Sequence, residues 1–192
     1  MTDHLPAESQ MARSAEDIRS AIRGLDFRLE DDSGEQFSVE PMRPADLDQV
    51  LAIERESFQS PWSKASFEAE LGKSYGGLPV VRLKEGDHAC PVLGYICFWL
   101  VADELQITNV AVHPEYRRRS IGWQLLLHAF QLGHAARARL AVLEVDRSNK
   151  AARALYEKLG FMVVHKRPCY YPESREDGLV MELNLCKSAE LG

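Results

Sequence analysis

From Phe37 onward the apolar residues switch between a spacing of two and a spacing of three or four, and those switches mark out the elements. Alternating positions over 37–42 predict a strand. Pro44 then opens a helix through Phe58, with Leu47, Val50, Leu51 and Phe58 as its apolar face. Pro61 and Trp62 lead a shorter helix that ends near Gly72. Strands are predicted over 78–83, 94–101 and 104–112, the last two joined by a tight turn at Ala102-Asp103. Ile121, Leu125, Ala129, Leu132 and Ala136 restore helical spacing, with Ser120 placed to cap. A short apolar strand over 140–145 follows. Ser148-Asn149 then caps a helix striped by Ala152, Leu155, Tyr156 and Leu159, which Gly160 closes as a left-handed residue. Strands over 161–164 and 179–185 complete the pattern.

The first 36 residues read as an extension. Ser14-Ala15-Glu16-Asp17 has the form of a capping box, and Ile18, Ile22, Leu25 and Leu29 recur at helical spacing; the flanking polarity favours an unstructured tail over a helix. Asp31-Asp32-Ser33-Gly34 reads as a linker and 186–192 as a short tail. Charge follows the same division. Of the formal −6, residues 1–37 carry nine acidic residues against four arginines, a net −5, which leaves −1 for the rest. No broad basic face for a nucleic acid exists. Cys90, Cys97, Cys169 and Cys186 show no Cys-x-x-Cys spacing and no histidine cluster, so neither zinc nor a disulfide framework is indicated. With no apolar run of signal-peptide or membrane-span length, the expectation is a cytoplasmic protein that needs neither a membrane nor a metal.

One stretch points to a ligand. In Asn109-Val110-Ala111-Val112-His113-Pro114-Glu115-Tyr116-Arg117-Arg118-Arg119-Ser120-Ile121-Gly122-Trp123 an apolar strand ends in a Pro-bearing turn, three arginines follow and a helix begins. The unpaired N–H groups of a helix's first turn, the helix dipole and the arginines together suit phosphate. No Gly-x-x-x-x-Gly-Lys-Ser/Thr occurs, which sets a P-loop aside.

This stretch resembles the acetyl-CoA-binding core of the GCN5-related N-acetyltransferases (GNAT), whose pattern here is Arg/Gln-x-x-Gly-x-Gly/Ala. Arg117 and Gly122 fit, and Ser120 replaces the first glycine. The element order is similar to that family from about 37 to 185, which implies an α/β fold with a mixed central sheet flanked by helices. By the resemblance Arg118, Arg119, Ser120, Ile121, Gly122 and Trp123 wrap the pyrophosphate, the main chain of Val110, Ala111 and Val112 meets the pantetheine arm, and Asn149 contacts the same ligand. Ala141-Val142-Leu143-Glu144-Val145 resembles the strand that carries the general base, which makes Glu144 the candidate. Such a base is needed because an α-ammonium, with a pKa of about 8, is largely protonated at neutral pH. The run Ala154-Leu155-Tyr156-Glu157-Lys158-Leu159-Gly160-Phe161 resembles the segment whose tyrosine protonates the departing thiolate, so Tyr156 is the candidate general acid. Direct attack with these two groups requires no metal.

Two further segments resemble the RimI-type ribosomal-protein alanine N-acetyltransferases: Phe58-Gln59-Ser60-Pro61-Trp62-Ser63 and Cys169-Tyr170-Tyr171-Pro172. In that group a Phe-x-x-Pro-Trp-Ser junction and a Tyr-Tyr-Pro loop wall the peptide entrance. The resemblance therefore implies acceptor contacts from Phe58, Pro61, Trp62, Tyr170 and Tyr171, and as partner the N-terminal alanine of a small-subunit ribosomal protein. Two rivals stay open: acetylation of a lysine side chain or small amine, and a CoA-binding module without turnover.

Overall fold

The computed structural model describes residues 28–30, 35–83, 91–171 and 176–186. Its frame is one sheet in the order β1-β2-β4-β5-β6-β7-β9-β8, with a two-residue β3 added against β5. The strands are β1 (Arg28–Glu30), β2 (Gln36–Pro41), β3 (Gly76–Gly77), β4 (Pro79–Leu83), β5 (Val92–Val101), β6 (Glu104–Val112), β7 (Leu140–Asp146), β8 (Met162–Tyr171) and β9 (Glu176–Asn184). Helices α1 (Leu47–Ser57) and α2 (Lys64–Gly72) follow β2, α3 (Ile121–Ala135) joins β6 to β7, and α4 (Lys150–Lys158) joins β7 to β8. Every pair is antiparallel except β6 with β7, whose parallel crossover through α3 divides the sheet.

Each face buries its own core. One packs Leu47, Val50, Leu51 and Ile53 of α1 and Phe67 of α2 on Val80, Tyr95 and Cys97 of the sheet. On the other, Ile121, Leu125, Leu126 and Ala129 of α3 and Tyr156 of α4 lie on Leu105, Ile107, Leu143 and Val145. This is the mixed α/β layout expected from the sequence. Ala102, at φ 54°, makes the two-residue β5–β6 turn. Gly160 takes φ 93°, the Gly160 N–H donates to the Glu157 carbonyl and the Phe161 N–H to the Tyr156 carbonyl, a Schellman cap on α4.

Several expectations need correction. The sheet begins at β1, nine residues before Phe37, because Arg28–Glu30 pairs antiparallel with β2. Leu29 is therefore in a strand, not at the end of a helical stripe; the proposed capping box, the residues 14–27 around it, the 31–34 linker and residues 187–192 lie outside the described residues. Pro44 opens a 3-10 turn (Pro44–Asp46) before the α-helix starts at Leu47. β8 and β9 run well beyond the predicted spans, as an arm whose His165-Lys166-Arg167 face is exposed and so carries no apolar alternation.

Candidate active site

The parallel pairing of β6 with β7 covers only Glu104–Ile107 against Leu140–Leu143 and then stops. The cause lies at Thr108. Opposite β5, Phe98 pairs with Ile107 and Cys97 with Asn109, so Thr108 is an extra residue, a β-bulge. Its hydroxyl donates to the Cys97 carbonyl at 3.1 Å. The bulge also changes which face each side chain takes. Leu105 and Ile107 join the α3 core, whereas Ala111 joins the α1 core and Val110 and Val112 pack on the α3 side. Gly94 lets β5 press against this segment, since a Cβ there would lie 2.9 Å from the Ala111 carbonyl oxygen. Beyond Thr108 the β6 main chain faces a cavity of about 540 Å3, lined by Phe58 and Trp62 on one side and by Glu144, Asn149 and Tyr156 on the other.

On the β7–α4 side, Glu144 forms an ion pair with Arg167 of β8, with Nη1 to Oε1 at 2.9 Å. The setting of this carboxylate is polar: its side chain is one-third exposed and a guanidinium stands beside it. The alternation of β7 explains this, because Ala141, Leu143 and Val145 take the buried face and leave Glu144 on the open one. Asn149 is the N-cap of α4, and its side-chain oxygen accepts the Ala152 N–H at 3.1 Å. Tyr156 is 6% exposed, with its ring 5.9 Å from Phe161, and it reaches the cavity from one turn before the Schellman cap.

The α1 side holds a residue that the sequence reading missed. Glu54 is 1% exposed; its carboxylate accepts from the Trp62 N–H at 2.8 Å and from the Tyr95 hydroxyl, and both of its oxygens accept from the Asn109 side-chain amide nitrogen at 3.2 Å. Burial, then the Glu54 charge and its hydrogen bond, push the Tyr95 phenol far above its ordinary range, so Tyr95 stays a donor. A signal did exist. Leu47, Val50, Leu51, Glu54 and Phe58 share one helical stripe, and a glutamate on an apolar stripe demands a reason.

The arginine turn lies apart from this cavity, at the head of α3. Arg117 is structural: its Nε donates to the Val112 carbonyl at 3.0 Å and its Nη2 to the Ser57 hydroxyl at 3.1 Å, tying β6 to α1. Arg118 takes φ 66° and Ser120 φ 57°. Ser120 is not the expected side-chain cap, since no cap hydrogen bond forms; a capping serine needs extended backbone, and this one is left-handed, a conformation that glycine adopts without strain. Arg119 pairs with Glu35 at 2.6 Å and lies 5.1 Å above the Tyr116 ring. Ile121 is buried in the core, so only its main chain faces the turn, and Trp123 sits under Lys158, 5.1 Å from its ring. A Cβ on Gly122 would meet only ordinary contacts with Leu155 and Val112.

Of the expected acceptor residues, Phe58 and Trp62 line the cavity, and Trp62 packs 5.4 Å from Phe67. Pro61 is exposed and is not part of the lining. Tyr170 and Tyr171 lie in β8; their side chains fall outside the description. Among the described residues no group of three or more His, Cys, Asp or Glu is placed to hold a metal ion, and no helix is long and apolar enough to cross a membrane.

A sheet split by a bulge, with a left-handed arginine turn at the head of one helix and a tyrosine-bearing capped helix on the far wall, is the design of an N-acetyltransferase domain. The acetyltransferase (GNAT) family model matches residues 47–161, more than half of the chain, and the chain belongs to that family. Among its relatives, a Bacillus subtilis protein named "Putative ribosomal protein bS18-alanine N-acetyltransferase" is 42% identical over 144 residues, 75% of this chain and 93% of that protein. The ribosomal protein bS18-alanine N-acetyltransferase of Escherichia coli is 32% identical over 148 residues, 76% of this chain and 96% of the relative. The crystal structure of the ribosomal-protein-S18-alanine N-acetyltransferase from Escherichia coli superposes with a TM-score of 0.70 at 29% identity, covering 78% of this chain and 94% of that one.

Proposed function

We propose that this protein transfers an acetyl group from acetyl-CoA to the α-amine of an N-terminal alanine on a small-subunit ribosomal protein. The observation that carries the reading is the open β6–β7 fork, with Glu144 and Tyr156 on one wall and Phe58 and Trp62 on the other. The names of the 42% and 32% identical relatives support the acceptor, and a cytoplasmic site of action follows from it.

The chain fits acetyl-CoA at two places. The main chain of Val110, Ala111 and Val112 has no β7 partner and would receive the pantetheine arm. Arg118, Arg119, the left-handed Ser120 and the N–H groups of Ile121, Gly122 and Trp123 would hold the phosphates, and the Asn149 side chain, already a cap, would lie beside the same ligand. Acetyl-CoA supplies the acetyl group as a thioester. Glu144 takes the proton from the acceptor's ammonium, and Arg167 keeps its carboxylate oriented until then. Tyr156 gives its phenolic proton to the leaving sulfur. Phe58 and Trp62, with Tyr170 and Tyr171 of β8, would grip the extended acceptor segment.

An α-amine is favoured over lysine because its pKa lies roughly two to three units lower, so a carboxylate deprotonates it far more readily. The test pairs two peptides, one with a free N-terminal alanine and one with a blocked terminus and an internal lysine. The first should be acetylated at its α-amine and the second not at all. Comparable rates on the lysine peptide, located by mass spectrometry, would move the enzyme to lysine acetylation.

A further inference from the structure

The buried Glu54 carboxylate is not used by the proton transfers proposed above, yet it binds together three separate pieces of the structure around the cleft. Its donors come from the loop between α1 and α2 through the Trp62 N–H, from β5 through the Tyr95 hydroxyl, and from β6 through the Asn109 amide. All of these donors are neutral. A carboxylate taken out of water without a cation is costly, and an apolar residue at position 54 would simply continue the stripe of Leu47, Val50 and Leu51 on the α1 core. Packing alone therefore does not account for an acid here. What the acid adds is a link across the open end of the fork. Asn109 is the first residue past the Thr108 bulge, and Trp62, with Phe58, is an aromatic that the loop after α1 presents to the cavity.

We propose that Glu54 is a positioning residue for the acceptor: its carboxylate clamps the Trp62-bearing loop to Asn109 of β6 and so sets the width of the slot that takes the incoming N-terminal segment. Glu54 lines the cavity but is only 1% exposed, and its carboxylate is occupied by its own donors, so it acts on the acceptor through Trp62 and Asn109. The inference rests on the reading of this cavity as the acceptor site. It separates two binding functions within one cleft, since acetyl-CoA is assigned to the β6 main chain from Val110 onward and to the arginine turn, neither of which the carboxylate contacts.

The experiment uses the full chain, an alanine-led peptide and acetyl-CoA. Glu54→Gln turns one acceptor oxygen into a donor facing other donors, and should raise the peptide KM by about tenfold while the acetyl-CoA dissociation constant stays within about twofold. Adding Asn109→Asp to that variant gives the new amide an acceptor and should bring the peptide KM back toward wild type. Tyr95→Phe, which leaves both Trp62 and Asn109 on the carboxylate, should change the peptide KM by less than about threefold. Should Glu54→Gln fail to fold, Asn109→Ala removes the β6 end of the clamp and should show the same split between peptide and acetyl-CoA. An unchanged peptide KM in the folded clamp variants, or peptide and acetyl-CoA constants rising together, overturns the proposal. A wild-type enzyme with no turnover on the peptide overturns the acceptor reading and this inference with it.

Discussion

The two walls of the cleft are held in place by opposite kinds of interaction. On the α1 wall a single carboxylate at 1% exposure gathers donors from three elements, while on the β7–α4 wall order comes from the caps of α4 and from an ion pair whose partners are 45% and 33% exposed. A buried polar cluster is strong only while every member is satisfied, and it fails abruptly when one is removed. An exposed pair loses little when broken, because water replaces the lost partner. The rigid wall is the one proposed to grip the acceptor, and the yielding wall is the one whose carboxylate, proposed as the base, would have to release a guanidinium in order to take a proton.

The largest effect should come from the chemistry on the yielding wall. Glu144→Gln should lower turnover at neutral pH by about a hundredfold or more with no change in acetyl-CoA affinity, and part of the loss should return at high pH, where more of the amine is already free. Steady-state rates across pH together with calorimetric binding measure both. A wild-type pH profile in this variant would remove Glu144 from its role.

Stability should then rank the walls in the reverse order. Glu54→Ala strands three buried donors and should cost about 3 kcal/mol, whereas Arg167→Ala should cost less than about 1 kcal/mol. Denaturant melts of the two variants decide this, and equal losses would erase the contrast.

A third measurement probes the α3 side of the sheet, which lies outside the comparison. His128 is 1% exposed and burial pulls its pKa down from the usual 6.5 to about 4. Its folded-state value is depressed, so between those values the unfolded chain binds the proton and the folded one does not; stability therefore falls as pH drops through that window. Between pH 7 and pH 5 the loss from this residue should be about 2 kcal/mol. His128→Leu should flatten that part of the profile, and an unchanged slope would assign the acid sensitivity elsewhere.

The smallest effect belongs to the arginine turn. Ser120 bears the cost of a left-handed backbone without gaining a cap, so Ser120→Gly should stabilise the fold by up to about 1 kcal/mol and leave acetyl-CoA binding equal or tighter. Loss of binding would make the hydroxyl a direct ligand.

What the sequence disclosed follows from the same physics. The β5–β6 hairpin, α3, and α4 with its Asn149 cap and Gly160 closure were all readable, because each is specified by residues within a few positions of one another. Glu144, Asn149 and Tyr156 line one cavity, while the arginine turn stands apart from it. The Thr108 bulge stayed hidden. Ile107, Asn109 and Ala111 alternate as evenly as any regular strand, and only the register against β5 reveals that the face has changed between them. β1 was equally invisible, since three residues gain strand form only from the partner they pair with. Glu54 was legible as an anomaly, but its donors come from residues up to 55 positions away, and no local pattern names them.

The bulge also bears on how this chain can change its length. Removing Thr108 would bring Ile107 and Asn109 into direct succession opposite Phe98 and Cys97, an unbroken ladder in which every neighbouring side chain already faces the correct core. Such a deletion variant should fold at least as well as the parent, because nothing in either core is lost and one irregularity is gone. With the kink removed, β6 would run straight alongside β7 and the gap between them would close. A single codon thus separates an open fork from a closed one, and a gene shortened at that point is expected to leave behind a protein that folds by circular dichroism and melting but has lost acetyl transfer.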